Sequence, residues 1–324
     1  AAALADGKTP VLGDGADVKE LAPATLKGKS APLRVFRLLS VAPPAARALN
    51  SPMVGRVQQL QLLQNSFAVA CRDRACSLFT VLGSAGVGKS RLVAEFLRDV
   101  DATVVGGRCL SYGEGITYWP LVEILTQLRS GPSADAVAEA VSQDPPIAGA
   151  VSAVLEHGTG ATSSTDIAWG VRRLLERVAE ERPLVVVVDD VHWAEPTLLD
   201  LLDHVVDLSR DYPVLVLVMA RPELLEARPG WGGGKLNATT VLLEPLDADE
   251  TAQLLQELAP ELDDAQRDRV RSASGGNPLF VEALVPLMVA APDGEVSIPP
   301  TIQALVAARL DQLDDAQRRV LECG

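Results

Sequence analysis

Two unbroken apolar runs constrain the fold of this 324-residue chain more than any other feature of its sequence. They are PLVVVVDD, residues 183–190, and PVLVLVMA, residues 213–220. Neither run alternates between apolar and polar positions, so each predicts a strand buried on both faces, as in a parallel sheet covered by helices. LFTVLG (78–83) and ATVVGGRC (102–109) predict two further strands, with a helix over 88–99 between them. The sequence therefore predicts an α/β fold.

A glycine-rich segment joins the first of these strands to the helix, and its residues Gly83, Gly88, Lys89 and Ser90 have the spacing G-x-x-x-x-G-K-S. Glycines there let successive backbone N–H groups turn around an anion, because a Cβ atom would block its approach. The helix behind the loop adds the positive end of its dipole. The segment therefore predicts a phosphate-binding loop. The loop residues expected to bind are Gly83, Ser84, Ala85, Gly86, Val87, Gly88, Lys89, Ser90 and Arg91.

Lys89 is unusual because the chain otherwise relies on arginine for positive charge. Four of the six lysines lie within the first 29 residues, and only Lys89 and Lys235 follow them. A compact ammonium group suits a point contact with phosphate oxygens. We expect Lys89 to bind the β- and γ-phosphates of a nucleotide, and Ser90 to offer its hydroxyl group to Mg²⁺.

Charged residues end both unbroken strands. Asp189 and Asp190 follow LVVVV, where two adjacent carboxylates are unfavourable unless a cation lies near them. We expect Asp189 to hold Mg²⁺ through water, and Asp190 to orient or deprotonate the attacking water. Arg221 closes the next strand, where it can contact a γ-phosphate. The structural alternatives are that the Asp pair caps the following helix and that Arg221 begins an ordinary turn.

Other residues near these strands give weaker patterns. His192 and Trp193 follow the Asp pair, and they either contact a ligand or pack the loop. Asp200 and Asp203 lie inside the helix that follows, where we expect them to be solvated. No His, Cys and carboxylate cluster has metal-ligand spacing, and GSAG lacks the context of a nucleophilic serine.

Charge and composition limit the partners of the chain. The formal net charge is −14, so the overall field repels nucleic-acid phosphates and acidic membrane surfaces. The longest apolar runs are far shorter than a membrane span, and no signal peptide is apparent. Four scattered cysteines predict reduced thiols. We expect a soluble, cytoplasmic protein whose segment contacts neither membrane nor nucleic acid.

Seven segments in this order resemble the AAA-like STAND ATPases, which are signal-transduction NTPases of bacterial regulators. They are PMVGR, VLGSAGVGKSRL, RCLSYGEGITYWPL, LVVVVDDVHWAEPTLLDLL, LVMARPELL, SGGNPLFVEAL and IPPTIQALVAARLDQL, over about residues 50–324. The resemblance implies a P-loop NTPase sheet with helices on both faces. It also implies a switch that binds Mg-ATP between this core and a helical lid and hydrolyses it slowly. Nucleotide-dependent self-association is a further expectation.

The resemblance also assigns residues to the base of the nucleotide. It implies that Val54, Gly55 and Arg56 lie beside the adenine, and that Pro278 closes over the base from the lid. The family has an acidic pair after GR, whereas this chain has VQQ, residues 57–59.

Residues 18–40 predict a β-hairpin, because two extended stretches flank the Gly-containing turn KGKS, and the hairpin includes the segment LAPATLKGKSAPLRVFRLL (21–39). It is similar to the C-terminal end of class III adenylate or guanylate cyclase catalytic domains. This implies a fused cyclase domain upstream in a parent chain. The metal-binding aspartates of such a domain would precede residue 1, so we expect no cyclase active site within this segment.

Four regions are predicted along the chain: the cyclase-like hairpin with a Pro/Ala-rich linker (1–45), the P-loop ATPase core (46–245), the helical lid (246–296) and the start of a winged-helix domain (297–324). Asp caps open the first two lid helices, DADETAQLLQEL and DDAQRDRVRSAS. A helical-repeat or other output domain is expected downstream.

Two other functions remain open from the sequence. One is the ATP-binding module of a helix-turn-helix transcription regulator, although the acidic balance opposes DNA contact by this segment. The other is a small-molecule kinase, which shares the phosphate loop and would use lid arginines such as Arg267, Arg269 and Arg271.

Overall fold

The computed structural model describes residues 2–3, 16–24, 33–41, 51–111, 117–156 and 162–290, which fall into two units. The first unit contains three antiparallel strands in the order β1-β3-β2. Their bounds are Ala2–Ala3 (β1), Ala16–Ala24 (β2) and Leu33–Val41 (β3). The pairing of β2 with β3 confirms the predicted hairpin. Most of the predicted linker (42–50) and the predicted winged-helix segment (297–324) lie outside the described residues.

The second unit, Met53–Pro292, is built on a parallel five-stranded sheet of order β5-β6-β7-β4-β8. The strands are Ser77–Gly83 (β4), Thr103–Arg108 (β5), Leu184–Asp189 (β6), Val214–Ala220 (β7) and Ala238–Leu243 (β8). Every residue of β4 and β7 is buried, as the unbroken apolar run of β7 predicts. The parallel sheet confirms the predicted α/β fold.

Strand β8 was not predicted from the sequence. It lies at the edge of the sheet, and only Val241 and Leu243 among its residues are buried. Its first residues, Ala-Thr-Thr, are not strongly apolar. A half-exposed edge strand of this kind lacks the unbroken apolar run that identifies a strand buried on both faces.

Helices cover both faces of the sheet. They are Val57–Asp73 (α1), Lys89–Leu97 (α2), Trp119–Ser130 (α3), Ala134–Gln143 (α4), Pro145–Leu155 (α5), Ser164–Glu181 (α6), Pro196–Leu208 (α7) and Glu223–Ala227 (α8). Successive residues of β4 point to opposite faces, because a strand has a side-chain period of two. Leu78 and Leu82 join the apolar cluster beneath α3 to α7, whereas Phe79 and Val81 join the cluster beneath α1 and α2.

Three further helices follow β8 in the segment predicted to be a lid, and we call them the lid below: Ala248–Leu258 (α9), Asp264–Ser274 (α10) and Pro278–Ala290 (α11). Asp247 and Asp263 cap α9 and α10 through capping boxes with Glu250 and Gln266, which confirms both predicted Asp caps. Across the described part of the chain, the helices are too short or too polar to span a membrane.

Helix α3 closes the outer edge of β5 with side chains that bond to the strand backbone. The Gln127 side chain both donates to the Gly106 carbonyl at 2.6 Å and accepts from the Gly106 N–H at 2.9 Å. One turn earlier, Glu123 accepts from the Arg108 N–H at 2.7 Å. Gly107 lies directly against the backbone of Pro120. Three backbone groups on the open side of this edge strand, two of Gly106 and one of Arg108, are thereby bonded within the unit.

The expectation that Asp203 is solvated was wrong. Asp203 lies 2.8 Å from the Arg228 guanidinium and 3.3 Å from the Lys235 ammonium group. Asp200 also pairs with Arg228, at 2.6 Å, but its side chain remains 67% exposed. The segment that follows α8 folds back over α7, and spacing along α7 alone could not show this long-range contact.

Alanine substitutions at two adjacent glycines test the packing of α3 against β5. A Cβ on Gly107 would lie 2.2 Å from the Pro120 carbonyl oxygen, whereas a Cβ on Gly106 would have its nearest neighbour at 3.6 Å. We expect Gly107→Ala to lower the free energy of unfolding by about 1–3 kcal/mol, because backbone must move. Gly106→Ala should change it by less than about 1 kcal/mol. Urea denaturation measures both, and equal stabilities would contradict this packing.

Candidate nucleotide-binding site

The glycine-rich loop runs from the end of β4 to the start of α2 at the carboxyl edge of the sheet. Gly86 and Gly88 have φ angles of 79° and 104°, a left-handed region that side chains other than glycine rarely adopt. A Cβ on Gly83 would lie 2.7 Å from the Val87 side chain and 3.0 Å from the Leu243 carbonyl oxygen. Val87 is buried in the apolar cluster, so it offers only its backbone to a ligand. The backbone thus has the tight, glycine-dependent turn of an anion cradle.

The Lys89 side chain folds back over this loop. Its Nζ atom donates to the carbonyl oxygens of Gly83, at 2.8 Å, and Ser84, at 3.0 Å. Burial lowers the pKa of Lys89, while the carboxylates of Asp189 and Asp190 act in the opposite direction. Both direct acceptors are neutral, so the ammonium charge remains available to an anion. A phosphate group fits this charge and the adjacent amides.

Asp189 and Asp190 lie at the tip of β6, two strands away from the loop. Burial is the main cause that raises the pKa of Asp189, followed by the neighbouring charge of Asp190, whereas Arg108 and Lys89 lower it. The Asp190 N–H donates to Asp189 Oδ1 at 2.8 Å. Asp190 itself has a φ of 53°, which is unusual for a residue other than glycine and is often found at functional sites. Because β6, β7 and β4 are parallel neighbours, the end of β6 that carries the Asp pair and the end of β4 that leads to Lys89 lie at the same edge of the sheet.

Arg108 is a member of this group that the sequence analysis did not identify. It ends β5 in register with Asp189 on β6. Its Nε and Nη2 atoms both donate to Asp190 Oδ2, at 2.8 and 2.6 Å. This hydrogen bond is the main cause that raises the pKa of Arg108. One oxygen of the predicted catalytic carboxylate is therefore occupied by a guanidinium group.

Arg221 follows β7, which lies between β6 and β4 in the sheet. Its backbone N–H donates to His192 Nδ1 at 3.4 Å, and its charge helps to lower the pKa of Lys89. Burial lowers the pKa of His192 as well. The Trp193 ring packs against His192, with 5.1 Å between ring centroids, and 47% of Trp193 remains exposed. Arg221 and His192 thus belong to the same charged edge as Lys89.

The segment predicted to lie beside adenine contacts the start of the lid. Val54 is buried, and Gly55 has a φ of 64°. A Cβ on Gly55 would lie 2.1 Å from the carboxylate of Glu250, in the first turn of α9. Arg56 donates to the Glu244 carbonyl, and burial is the main cause that lowers its pKa. The VGR segment therefore packs against the entrance to α9.

Pro278 begins α11, and the residue before it reaches the glycine-rich loop. Asn277 Nδ2 donates to the Ala85 carbonyl oxygen at 2.9 Å. The lid thus contacts the loop directly. Ser90 is exposed at the start of α2, and Arg91 pairs with Glu95 on the same helix at 3.2 Å. Binding of a nucleotide by the side chains of Pro278 and Arg91 stays a prediction.

The lid arginines make only local bonds among the described residues. Arg267 donates to the Pro260 carbonyl at 2.8 Å, and Arg271 pairs with Asp268 at 2.6 Å. Arg269 makes a long bond, 3.4 Å, to the Ala265 carbonyl. The kinase alternative would require these arginines to contact the glycine-rich loop. None of the contacts just described does so.

Ser90 and Asp189 suit Mg²⁺, because hydroxyl and carboxylate oxygens are ligands that this ion prefers. Among the described residues, no three or more His, Cys, Asp or Glu side chains are grouped so as to hold a metal ion by themselves. The oxygen donors therefore fit an ion whose coordination is shared with phosphate groups and water rather than one held in an all-protein cage.

A comparison with known families agrees with this geometry. Residues 52–218 match the family described as AAA ATPase domain, AAA_16. The chain belongs to this family. It is an AAA-type ATPase module with a P-loop, and the Gly83–Ser90 segment lies within the matched region.

The similar proteins include a longer bacterial chain and two solved structures. An uncharacterized protein of Rhizobium meliloti is 31% identical over 297 residues, which cover 80% of this chain and 28% of the relative. This chain therefore spans little more than a quarter of that protein. A STAND protein with a tetratricopeptide repeat sensor from Pyrococcus horikoshii has 17% identity and a TM-score of 0.48, with 82% of this chain and 34% of that chain covered. ORC1 of Aeropyrum pernix, in complex with DNA, has 18% identity and a TM-score of 0.47, with 81% and 66% covered.

Asp189→Asn tests how burial acts on this carboxylate. Folding raises the pKa of Asp189, so its charged form destabilises the folded protein at neutral pH. This destabilisation is present above the folded pKa and disappears as the pH falls towards the unfolded value. We expect Asp189→Asn to raise the melting temperature of the nucleotide-free protein at pH 7, with a gain that shrinks towards pH 4. Asp190→Asn, which weakens the bond to Arg108, should give no such gain. A lower melting temperature for Asp189→Asn at pH 7 would contradict this account.

Proposed function

We propose that this chain is a nucleotide-dependent switch that binds ATP, hydrolyses it slowly and reports its nucleotide state to neighbouring domains. The observation that supports it best is the convergence of opposite charges on one glycine-rich loop. Lys89 begins α2 after β4, Asp189 ends β6 and Arg221 follows β7, and these three parallel strands are neighbours with their carboxyl ends at one edge of the sheet. A triphosphate with a divalent cation is a ligand that uses all of these groups together.

Each residue in this proposal has a role that follows from its chemistry. The loop amides and Lys89 bind the phosphates, and Arg221 reaches the γ-phosphate. Ser90 and Asp189 would hold Mg²⁺, which supplies charge neutralisation at the phosphates when bound. Asp190 orients the attacking water and accepts its proton. Val54, Gly55, Arg56 and Pro278 would surround the adenine.

Slow turnover is consistent with the contact between Arg108 and Asp190. Two N–H groups of Arg108 occupy Asp190 Oδ2, so this oxygen accepts a proton from water only after the guanidinium moves away. While this pair is intact, only Oδ1 can accept from a water, and the guanidinium group restrains how the carboxylate turns towards it. The pair therefore supports a regulated ATPase rather than a fast enzyme.

The proposed outputs are a fused cyclase domain upstream and a helical-repeat or other output domain downstream. The hairpin of β2 and β3 supports the first part, because its sequence is similar to the end of a cyclase domain. The length of the Rhizobium meliloti relative supports a larger parent protein. The formal net charge of −14 favours protein partners over nucleic acid for this segment. Cytoplasmic location and nucleotide-dependent self-association are further parts of this proposal.

Lys89→Ala tests the nucleotide site, with Lys235→Ala as the matched control. Lys235 lies in the same unit and, like Lys89, is partly buried. It pairs with Asp203 and Asp207, away from the loop. A hydrogen bond to a charged group contributes about 1.5–3 kcal/mol, so we expect Lys89→Ala to weaken ATP and ADP affinity at least about tenfold. Isothermal titration calorimetry with Mg²⁺ measures both affinities. Unchanged affinity of Lys89→Ala, or an equal loss in Lys235→Ala, would overturn the proposal.

Asp190→Asn tests the proposed hydrolysis step. Removing a general base lowers a rate by about 10²–10⁴-fold, so we expect kcat for phosphate release to fall within that range while ATP affinity is kept. The assay measures inorganic phosphate released to water without any added acceptor. Release by the unmodified protein without an acceptor separates an ATPase from a small-molecule kinase. A kcat unaffected by Asp190→Asn would remove Asp190 from the reaction.

A further inference from the structure

The start of α11 contacts the glycine-rich loop through two backbone carbonyl groups of the loop. Asn277 Nδ2 donates to the Ala85 oxygen at 2.9 Å, and the Leu279 N–H approaches the Gly86 oxygen at 3.3 Å. The contact is close, since a Cβ on Gly86 would lie 2.7 Å from both Asn277 Oδ1 and Leu279 Cβ. The lid therefore packs on the carbonyl side of the residue 85–87 backbone.

The geometry of the peptide group gives this contact a consequence for the opposite side of the loop. No peptide bond among the described residues is cis, and in a trans peptide the C=O and the N–H of the next residue point in opposite directions. A lid that binds the Ala85 oxygen therefore turns the Gly86 N–H away from itself. Binding of the Gly86 oxygen does the same for the Val87 N–H. These are successive amides of the turn that cradles an anion.

The segment that carries Asn277 is held in place by backbone contacts. Gly275 and Gly276 have φ angles of 55° and 76°, which gives the tight turn between α10 and α11. The Gly276 carbonyl accepts from the Leu246 N–H at 2.8 Å. Asn277 also caps α11, because its Oδ1 accepts from the Leu279 N–H at 3.1 Å. The turn before α11 is thus held by Leu246, and it places Asn277 against the glycine-rich loop.

We propose that Asn277 is a positioning residue of the phosphate site, which orients the Gly86 and Val87 amides towards a phosphate group by holding the outer side of their peptide groups. The inference rests on the proposed function, because it assumes that a nucleotide phosphate occupies the loop. Coupling of two binding events is reciprocal, so a bound phosphate must stabilise the docked lid as much as the docked lid stabilises the phosphate. The lid thereby senses the diphosphate part of the nucleotide, which ADP and ATP share.

Asn277→Ser provides the sharpest variant. Serine is a good N-cap, so α11 keeps its start, but its hydroxyl group is too short to replace the bond to the Ala85 carbonyl. Asn277→Asp is a second variant that keeps both the size and the cap, yet a carboxylate cannot donate to a carbonyl oxygen. Asn65→Ser is the control, because Asn65 bonds only to Gln61 on the surface of α1 among the described contacts.

We expect Asn277→Ser to weaken ADP and ATP affinity equally, by about 3–10-fold, as for the loss of one hydrogen bond that positions the amides. Adenosine affinity should stay unchanged, because adenosine has no phosphate. Asn277→Asp should lose at least as much, and Asn65→Ser nothing. Hydrogen exchange adds a second measurement: ADP should protect the amides of α11 in the unmodified protein and protect them less in Asn277→Ser.

Two outcomes would overturn the inference. If Asn277→Ser binds ADP as tightly as the unmodified protein, the lid contact does not position the amides. If adenosine affinity falls as much as ADP affinity, the substitution loosens the lid in general. Lys89→Ala separates these results from a failure of the proposed function. An unmodified protein that binds neither ADP nor ATP refutes the nucleotide site itself, whereas a site lost in Lys89→Ala and intact in Asn277→Ser refutes only the role of Asn277.

Discussion

The charged edge of the parallel sheet depends on the ammonium group of Lys89, which is partly buried and bonded to neutral oxygens. Lys89 donates to two carbonyls of its own loop, and the nearest negative charges act on it without a direct bond among the described residues. Removing a cation from water is unfavourable, and this cost supports the proposal that Lys89 receives an anion. The raised pKa of Asp189 and the Arg108–Asp190 pair follow from the same crowding of charges. The parallel sheet imposes this crowding, because it brings the ends of β5, β6, β7 and β4 to one edge.

Much of this arrangement could be predicted from the sequence, because strong local patterns carry it. Unbroken apolar runs identified β6 and β7, and the spacing of glycines with Lys89 identified the loop. Asp caps identified α9 and α10. Such signals depend on residues that are close in the chain, where backbone geometry and side-chain period restrict the possible structures. The shared location of the strand ends and the loop also followed, since parallel strands direct their carboxyl ends to the same side of a sheet.

The features that could not be predicted depend on which distant segments meet. Arg108 binds Asp190 only because β5 is the neighbour of β6, and no local pattern states that order. Asp203 was expected in solvent, yet Arg228 and Lys235 come back to it from beyond β7. The contact of Asn277 with Ala85 joins residues separated by 192 positions. In each case a polar side chain meets its partner through tertiary structure, which sequence spacing does not contain.

The closure of β5 by α3 limits how copies of this module can assemble. Gln127 satisfies both backbone groups of Gly106, and Glu123 accepts from the Arg108 N–H, so a strand from another molecule would find these positions already bonded. Addition of a foreign strand at this margin would first require α3 to detach. Another copy that meets the module at the β5 margin would therefore have to join through side-chain surfaces, and a strand could extend this sheet only at the opposite margin, which β8 forms.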